Sequence, residues 1–168
     1  MYIVKEELLG YAKERVLKLD RDAKKLVVYK RVDNEKLHDH YSIREDFDSS
    51  PYAMYEEEKS FDCIYGGKES PTPVGTFTVE YKSEDEYISG YYKKLNKVKF
   101  FGYLIIFEDY FIHSDLYEES VTMEDMRSNP DIQPVSKGDD HTSGCIRVKQ
   151  DELDWLLENV DVGTMVVM

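Results

Sequence analysis

The chain places a cysteine directly after a glycine in His141-Thr142-Ser143-Gly144-Cys145-Ile146-Arg147-Val148. A second apolar run, Phe111-Ile112-His113-Ser114, offers an imidazole 32 positions upstream. Together these supply the parts of a cysteine nucleophile: a sulfur that can become a thiolate, a base to take its proton, and tight backbone that can aim N–H groups at an oxyanion. Glycine before the sulfur has no Cβ to obstruct an approaching carbonyl. On this reading Cys145 is the nucleophile, and the N–H groups of Gly144 and Cys145 are the oxyanion donors. Arg147 lies two positions on, so on a strand it shares a face with Cys145. It suits either a clamp for a substrate carboxylate or a structural ion pair. His141 is either a group supporting the site or a loop histidine. Neither His141 with Cys145 nor His38 with His40 provides four ligands at zinc-like spacing, so no metal is expected.

These residues need a scaffold. Leu17 and Leu19 alternate with Lys18, and Leu26-Val27-Val28-Tyr29 follows a polar turn, which predicts paired strands. Strand signals return at residues 60–65 and 75–81. The apolar runs 98–107 and 110–113, joined at Glu108-Asp109, predict a hairpin with a two-residue turn that sets His113 at a strand end. Thr122 with Asp125 predicts a short helix over 121–128. Leu153, Leu156, Leu157 and Val160 predict an amphipathic helix from Asp151, and 165–168 a closing strand. Leu8, Leu9 and Ala12 suggest an N-terminal helix or linker over 1–14, leaving 15–168 as the main domain. The polar stretch 33–59, with its Ser49-Ser50-Pro51 breaker and Glu56-Glu57-Glu58 run, is read as a connection. His38-Asp39-His40 is placed in a solvated loop. The pattern is mainly β, with α+β character at the margins: a sandwich or barrel. Tyr81, Tyr87, Tyr91, Tyr92 and Tyr103 form either a platform for glycan or peptide, or ordinary strand and loop tyrosines. The acidic segment 115–140 joins base to nucleophile and is expected to fold as a flap over the cleft.

At 168 residues the chain fits one domain, 41% hydrophobic and 34% charged. A net charge of −13 argues against nucleic acid as a partner and against adsorption to anionic lipid. No apolar window of about 18 residues predicts a membrane span. Met1–Glu7 lacks the pattern of a signal peptide. Cys63, in a strand-like run, is expected to be a buried thiol rather than a disulfide partner of Cys145.

The motifs also resemble a known family. Ser143-Gly144-Cys145-Ile146-Arg147 is similar to the signature of the L,D-transpeptidase (YkuD-like) catalytic domain. That signature reads Ser/Thr-His-Gly-Cys, then an apolar residue and Arg or Asn. Ile112-His113-Ser114 resembles its upstream histidine motif, Thr72-Pro73-Val74-Gly75-Thr76-Phe77 its Thr-Pro-x-Gly-x-Phe segment, and Gly163-Thr164 with Val166-Val167 its closing strand. Ser143 stands where the family has histidine, and His141 lies two positions earlier. The long segment between the histidine and cysteine motifs resembles a subgroup with an insertion there.

The resemblance implies a YkuD-like β-sandwich with a few short helices. It implies a cysteine-dependent acyltransferase without cofactor, with His113 as the base and Ser114 orienting it through its backbone carbonyl. Ser143, His141 and Arg147 are then expected at the substrate. The implied substrate is a peptidoglycan stem tetrapeptide. Cys145 attacks the carbonyl of the third residue, D-Ala leaves, and an amine of another stem resolves the thioester as a 3→3 crosslink. Water as acceptor would make it an L,D-carboxypeptidase, and loss of activity a cell-wall binding module. The resemblance further implies an extracytoplasmic place in the cell envelope, and capture of carbapenems by the thiol.

Overall fold

The computed structural model describes residues 1–32, 52–90, 92–95 and 97–168. The readings made for His38-Asp39-His40, Ser49-Ser50-Pro51 and Tyr91 lie outside the described residues.

Eleven strands are described: β1 (Tyr2–Lys5), β2 (Arg15–Asp20), β3 (Lys25–Arg31), β4 (Tyr52–Asp62), β5 (Thr76–Thr78), β6 (Tyr81–Ser89), β7 (Val98–Phe107), β8 (Tyr110–His113), β9 (Tyr117–Glu118), β10 (Ile146–Arg147) and β11 (Met165–Val167). The helices are α1 (Met123–Ser128) and α2 (Gln150–Asn159). One sheet runs β1-β4-β3-β2-β11-β5. The other runs β10-β8-β7-β6, with β9 added on β7. This is the sandwich expected from the alternating pattern.

Period-two alternation explains the core. Leu17, Leu19, Leu26, Val28 and Phe61 of the first sheet meet Leu104, Ile106, Ile112 and Ile146 of the second. Helix α2 adds Leu153, Leu156 and Leu157 to the same cluster. Its first turn is closed by the Lys149 N–H donating to Glu152 Oε2 at 3.1 Å. The opposite face of the second sheet carries a separate cluster: Val98, Phe100, Phe111 and Leu116, with Cys145 packed against it. The sheet therefore separates a sealed inner core from an outer apolar floor on which the chemistry sits.

Three expectations change. Residues 5–14 do not form a helix. Tyr2–Lys5 instead pairs antiparallel with β4, followed by one 3₁₀ turn at Glu6–Leu8. Gly10, at φ +64°, turns the chain out of it. Glu6 then binds Arg31 and Lys13, so this segment is stitched to the first sheet. The Glu56-Glu57-Glu58 run is not a loop but lies within β4, where Glu58 pairs with the Arg15 guanidinium at 2.8 Å. The signal at 75–81 resolves into β5 and the start of β6, and β6 continues through the acidic run Glu84-Asp85-Glu86. Polar composition hid these strands because one of their faces is in water.

Candidate active site

The β7–β8 hairpin turns at Glu108-Asp109, with Glu108 at φ +48°. It ends in His113, as the pattern predicts. Strand β10 runs parallel to β8, with Ile146 beside Ile112 and Arg147 beside His113. Ile146 faces the core, so Cys145 and Arg147 face the outer side with His113. The local register thus brings together residues 32 positions apart. They line a cleft of about 550 Å³, whose wall also carries Tyr92, Lys93, Asp139, Asp140 and His141.

His113 is 4% exposed, and its ring stacks on Phe100 with centroids 4.1 Å apart. Nδ1 lies 2.6 Å from the Ser114 carbonyl oxygen. A carbonyl only accepts, so Nδ1 carries the proton and Nε2 remains the acceptor. Ser114 therefore orients the imidazole through its backbone. Ser114 is itself fully buried, and its hydroxyl donates to Gln150 Oε1. Gln150 in turn donates to the Phe101 carbonyl and to Asp154. Helix α2 thus holds the residue that holds the base.

The sulfur is held elsewhere. Cys145 Sγ accepts from the Phe111 N–H at 3.4 Å and donates to the Asp109 carbonyl at 3.6 Å. Among the described residues, no hydrogen bond joins it to His113. Burial pushes the Cys145 thiol up, with Asp109 adding to the rise, while the Phe111 N–H and Arg147 oppose it. Burial, and then the Arg147 cation, push His113 down to about 3, against the Ser114 bond. Both shifts favour the neutral form of each group at rest.

The loop that carries Cys145 is braced by hydroxyls. Thr72 is 2% exposed; its Oγ1 donates to the Gly144 carbonyl at 2.6 Å and accepts from the Gly66 N–H at 2.9 Å. Ser70 Oγ donates to the Ser143 carbonyl. Thr142 Oγ1 donates to the Cys145 carbonyl at 2.5 Å and accepts from the Gly144 N–H at 3.1 Å. In this state the Gly144 N–H, one of the two expected oxyanion donors, is thus occupied by the Thr142 hydroxyl. Gly144 does have to be glycine. At φ +130° an added Cβ would lie 2.6 Å from the Tyr110 ring.

Arg147 is 7% exposed, and its Nη1 donates to Asp139 Oδ2 at 3.0 Å. The ion-pair alternative therefore holds in this state. Its Nε is buried without a partner. Asp139 also accepts from the Tyr92 hydroxyl and from Lys93 Nζ at 2.9 Å. Burial opposes ionisation of Asp139, but the Tyr92, Lys93 and Arg147 bonds outweigh it and hold its carboxyl below the ordinary range. His141 stays exposed at the cleft wall, its Nδ1 2.6 Å from Asp140 Oδ1. Ser143 also lines the cleft.

Sequence reasoning missed Asp139, Lys93 and Gln150, and named Tyr92 only within the tyrosine cluster. Gly138-Asp139-Asp140 reads only as a chain breaker, and nothing local says that one of its carboxylates faces an arginine. The flap expectation is also corrected. Helix α1 forms, capped by Thr122 Oγ1 on the Asp125 N–H at 3.1 Å. It packs through Met123 and Met126 on Phe101, Tyr117 and Val121. No described residue from 117 to 138 lines the cleft. Arg127 pairs with Asp154 and ties α1 to α2 instead. Cys63 is a buried free thiol pushed up to about 12 by burial, and Cys145 is also free. Among the described residues, no group of three or more His, Cys, Asp or Glu could hold a metal ion, and no helix is long and apolar enough to cross a membrane.

Known proteins share this fold. An L,D-transpeptidase from Mycobacterium smegmatis superposes with a TM-score of 0.56 at 18% identity, over 92% of this chain and 58% of its own. The structure of the LD transpeptidase LdtMt1 in complex with imipenem gives 0.58 at 14%, over 92% and 58%. An Enterococcus faecium L,D-transpeptidase mutant gives 0.54 at 16%, over 92% and 49%. The chain therefore spans about half to three-fifths of the length of these structures. At such identities the likeness establishes the fold. No curated protein matches the chain. Residues 48–168 match the L,D-transpeptidase catalytic domain, YkuD. That span exceeds half of the sequence and includes both strands of the cleft, so the chain belongs to the YkuD family of L,D-transpeptidase catalytic domains.

Proposed function

We propose that this chain is an L,D-transpeptidase of the cell envelope that forms 3→3 peptidoglycan crosslinks through a Cys145 thioester. The observation that carries the reading is the pairing of β10 with β8, which sets Cys145 and the Ser114-oriented His113 on one face of one cleft.

Because both groups are neutral at rest, ionisation is coupled to attack. The sulfur leaves the Asp109 carbonyl and turns toward His113. His113 Nε2 takes the thiol proton as Sγ bonds to the carbonyl carbon of the donor's third residue. With the Gly144 N–H occupied, the Cys145 N–H is the remaining donor of the original pair for the oxyanion. The C–N bond to D-Ala breaks, and the imidazolium returns its proton to the leaving amine. An amine of a second stem then attacks the thioester. His113 takes that proton, and the thiolate leaves and is reprotonated. Arg147 keeps His113 basic form neutral between cycles and is available to a carboxylate that displaces Asp139. Ser143 and His141 lie at the wall where substrate passes.

Purified disaccharide-tetrapeptide incubated with the protein and followed by mass spectrometry tests the reading. Crosslinked dimer with loss of one D-Ala is expected. Tripeptide without dimer would redirect the reading to an L,D-carboxypeptidase. Unchanged tetrapeptide would leave only a binding module.

A further inference from the structure

The outer face of the second sheet carries a run of aromatic rings that the mechanism does not use. Strand β6 is the edge of that sheet. It sets Tyr81 opposite Ile105, Ser83 opposite Tyr103 and Tyr87 opposite Phe100. Tyr81 is 52% exposed and Tyr87 37%. The rings form one connected path. Phe111, whose N–H holds the Cys145 sulfur, stacks on Tyr103 with centroids 5.4 Å apart. Tyr103 meets Tyr81 at 6.2 Å and Tyr87 at 5.3 Å. Tyr87 also meets Phe111 at 5.1 Å. Tyr87, Phe100 and Phe111 line the cleft, so the path begins inside it and ends at the exposed Tyr81.

The reach of this path is bounded on the scale of a short peptide. The two ring steps place Tyr81 at most about 12 Å from Phe111. An extended chain advances roughly 3.3–3.6 Å per residue, so three residues span about 10–11 Å. A stem attacked at its third carbonyl has its first residue, and the lactyl sugar attached to it, at about that distance from the sulfur. The surface chemistry also fits. Tyrosine offers an apolar ring for the C–H face of a pyranose and a hydroxyl for its polar edge. Glu84 and Glu86, both exposed, and Asp85 flank the path on the edge strand. Edge charge of this kind disfavours the addition of a protein strand. A neutral N-acetylated sugar meets no such penalty.

We propose that Tyr81, Tyr103 and Tyr87 form a subsite for the N-acetylated sugar that carries the donor stem. The proposal rests on the peptidoglycan activity above. Two readouts separate them. The first is binding of the N-acetylglucosamine tetramer to the Cys145→Ala protein, followed by NMR. The second is kcat/KM for a disaccharide-tetrapeptide against the free tetrapeptide, in the native protein and in Tyr81→Ala and Tyr81→Phe.

The tetramer is expected to perturb Tyr81 and Tyr103. The native protein is expected to prefer the disaccharide donor by about tenfold, through KM. Tyr81→Ala removes most of that preference, leaves the free peptide unchanged, and Tyr81→Phe restores it. Equal use of the two donors by the native protein would overturn the sugar subsite. So would equal slowing of both donors in Tyr81→Ala, or self-association through this face that Tyr81→Ala abolishes. Consumption of neither donor, with tetramer still bound at Tyr81, would overturn the activity while supporting the sugar site.

Discussion

The Phe111 amide donates to the Cys145 sulfur across 3.4 Å, so the thiol is parked on the backbone of the strand that carries His113. His113 lies two residues along that strand, oriented but unpaired with the sulfur. Burial raises the thiol, and burial lowers the imidazole. The resting site is a neutral pair, unlike cysteine enzymes that store a thiolate next to an imidazolium.

That state predicts a pH profile. A neutral thiol raised by burial alkylates slowly at pH 6–7, and its rate climbs through and beyond the ordinary thiol range near 8.5. Iodoacetamide labelling of Cys145, read by mass spectrometry in Cys63→Ser protein, should show no plateau between pH 5 and 7. A fast plateau there would show a stored thiolate. Cys145→Ala should abolish acyl transfer, and Cys63→Ser should retain it.

His113 also predicts acid sensitivity. Its folded pKa of about 3 lies below the unfolded value near 6.5. Between these values the unfolded chain binds the extra proton, so stability falls as pH falls from about 6.5 toward 3. The full contribution is present above 6.5. Carboxylates held below their ordinary range, such as Glu6 and Asp154, also lose stability in acid. The difference between native protein and His113→Asn isolates the histidine. Urea midpoints should converge as the pH is lowered, and parallel curves would contradict the burial argument.

Asp139 predicts a third outcome. It is the shared acceptor for Arg147, Tyr92 and Lys93. Asp139→Asn leaves the Arg147 cation buried without its counter-charge, a loss of about 3 kcal/mol where a buried pair is broken. Lys93→Met acts on a 58% exposed partner and should cost far less. Urea denaturation of the two variants should rank them in that order, and hydrogen exchange over residues 92–95 should rise in Asp139→Asn.

How much of this was legible in the sequence depends on what each signal encodes. The β7–β8 hairpin, α2 and the motif around Cys145 are strong local patterns, and the structure places them as read. Ser114 as the orienting group is an expectation from the motif, and in the structure its carbonyl lies 2.6 Å from His113 Nδ1. Strand β6 and the middle of β4 do not read as strands because their polar residues break the apolar alternation, and β1 is only four residues long. The Gly144 N–H was assigned from loop position alone, which carries no information about the Thr142 hydroxyl that takes it. Asp139 was missed because two of its partners, Tyr92 and Lys93, lie 47 and 46 positions away, and only the folded chain brings them to it.

The excursion between base and nucleophile gives the last test. Its two ends are tied to the site: the Leu116 N–H donates to Ser136 Oγ at 2.9 Å, the Val135 N–H to the Leu116 carbonyl at 2.8 Å, and Asp139 reaches Arg147. Its middle is not. Helix α1 covers the Phe101 cluster and clasps Asp154 through Arg127. A lid would expose the cleft when removed, whereas a brace would only loosen the corner between β7 and α2. Replacing residues 119–133 by a short Gly-Ser link should therefore leave the Cys145 alkylation rate unchanged. It should lower the melting temperature, because Phe101 and Tyr117 lose their cover. Gln150 bonds to both Asp154 and Ser114, so any loss of acyl transfer should track destabilisation of α2. A deletion variant that melts normally but fails in transfer would restore the lid.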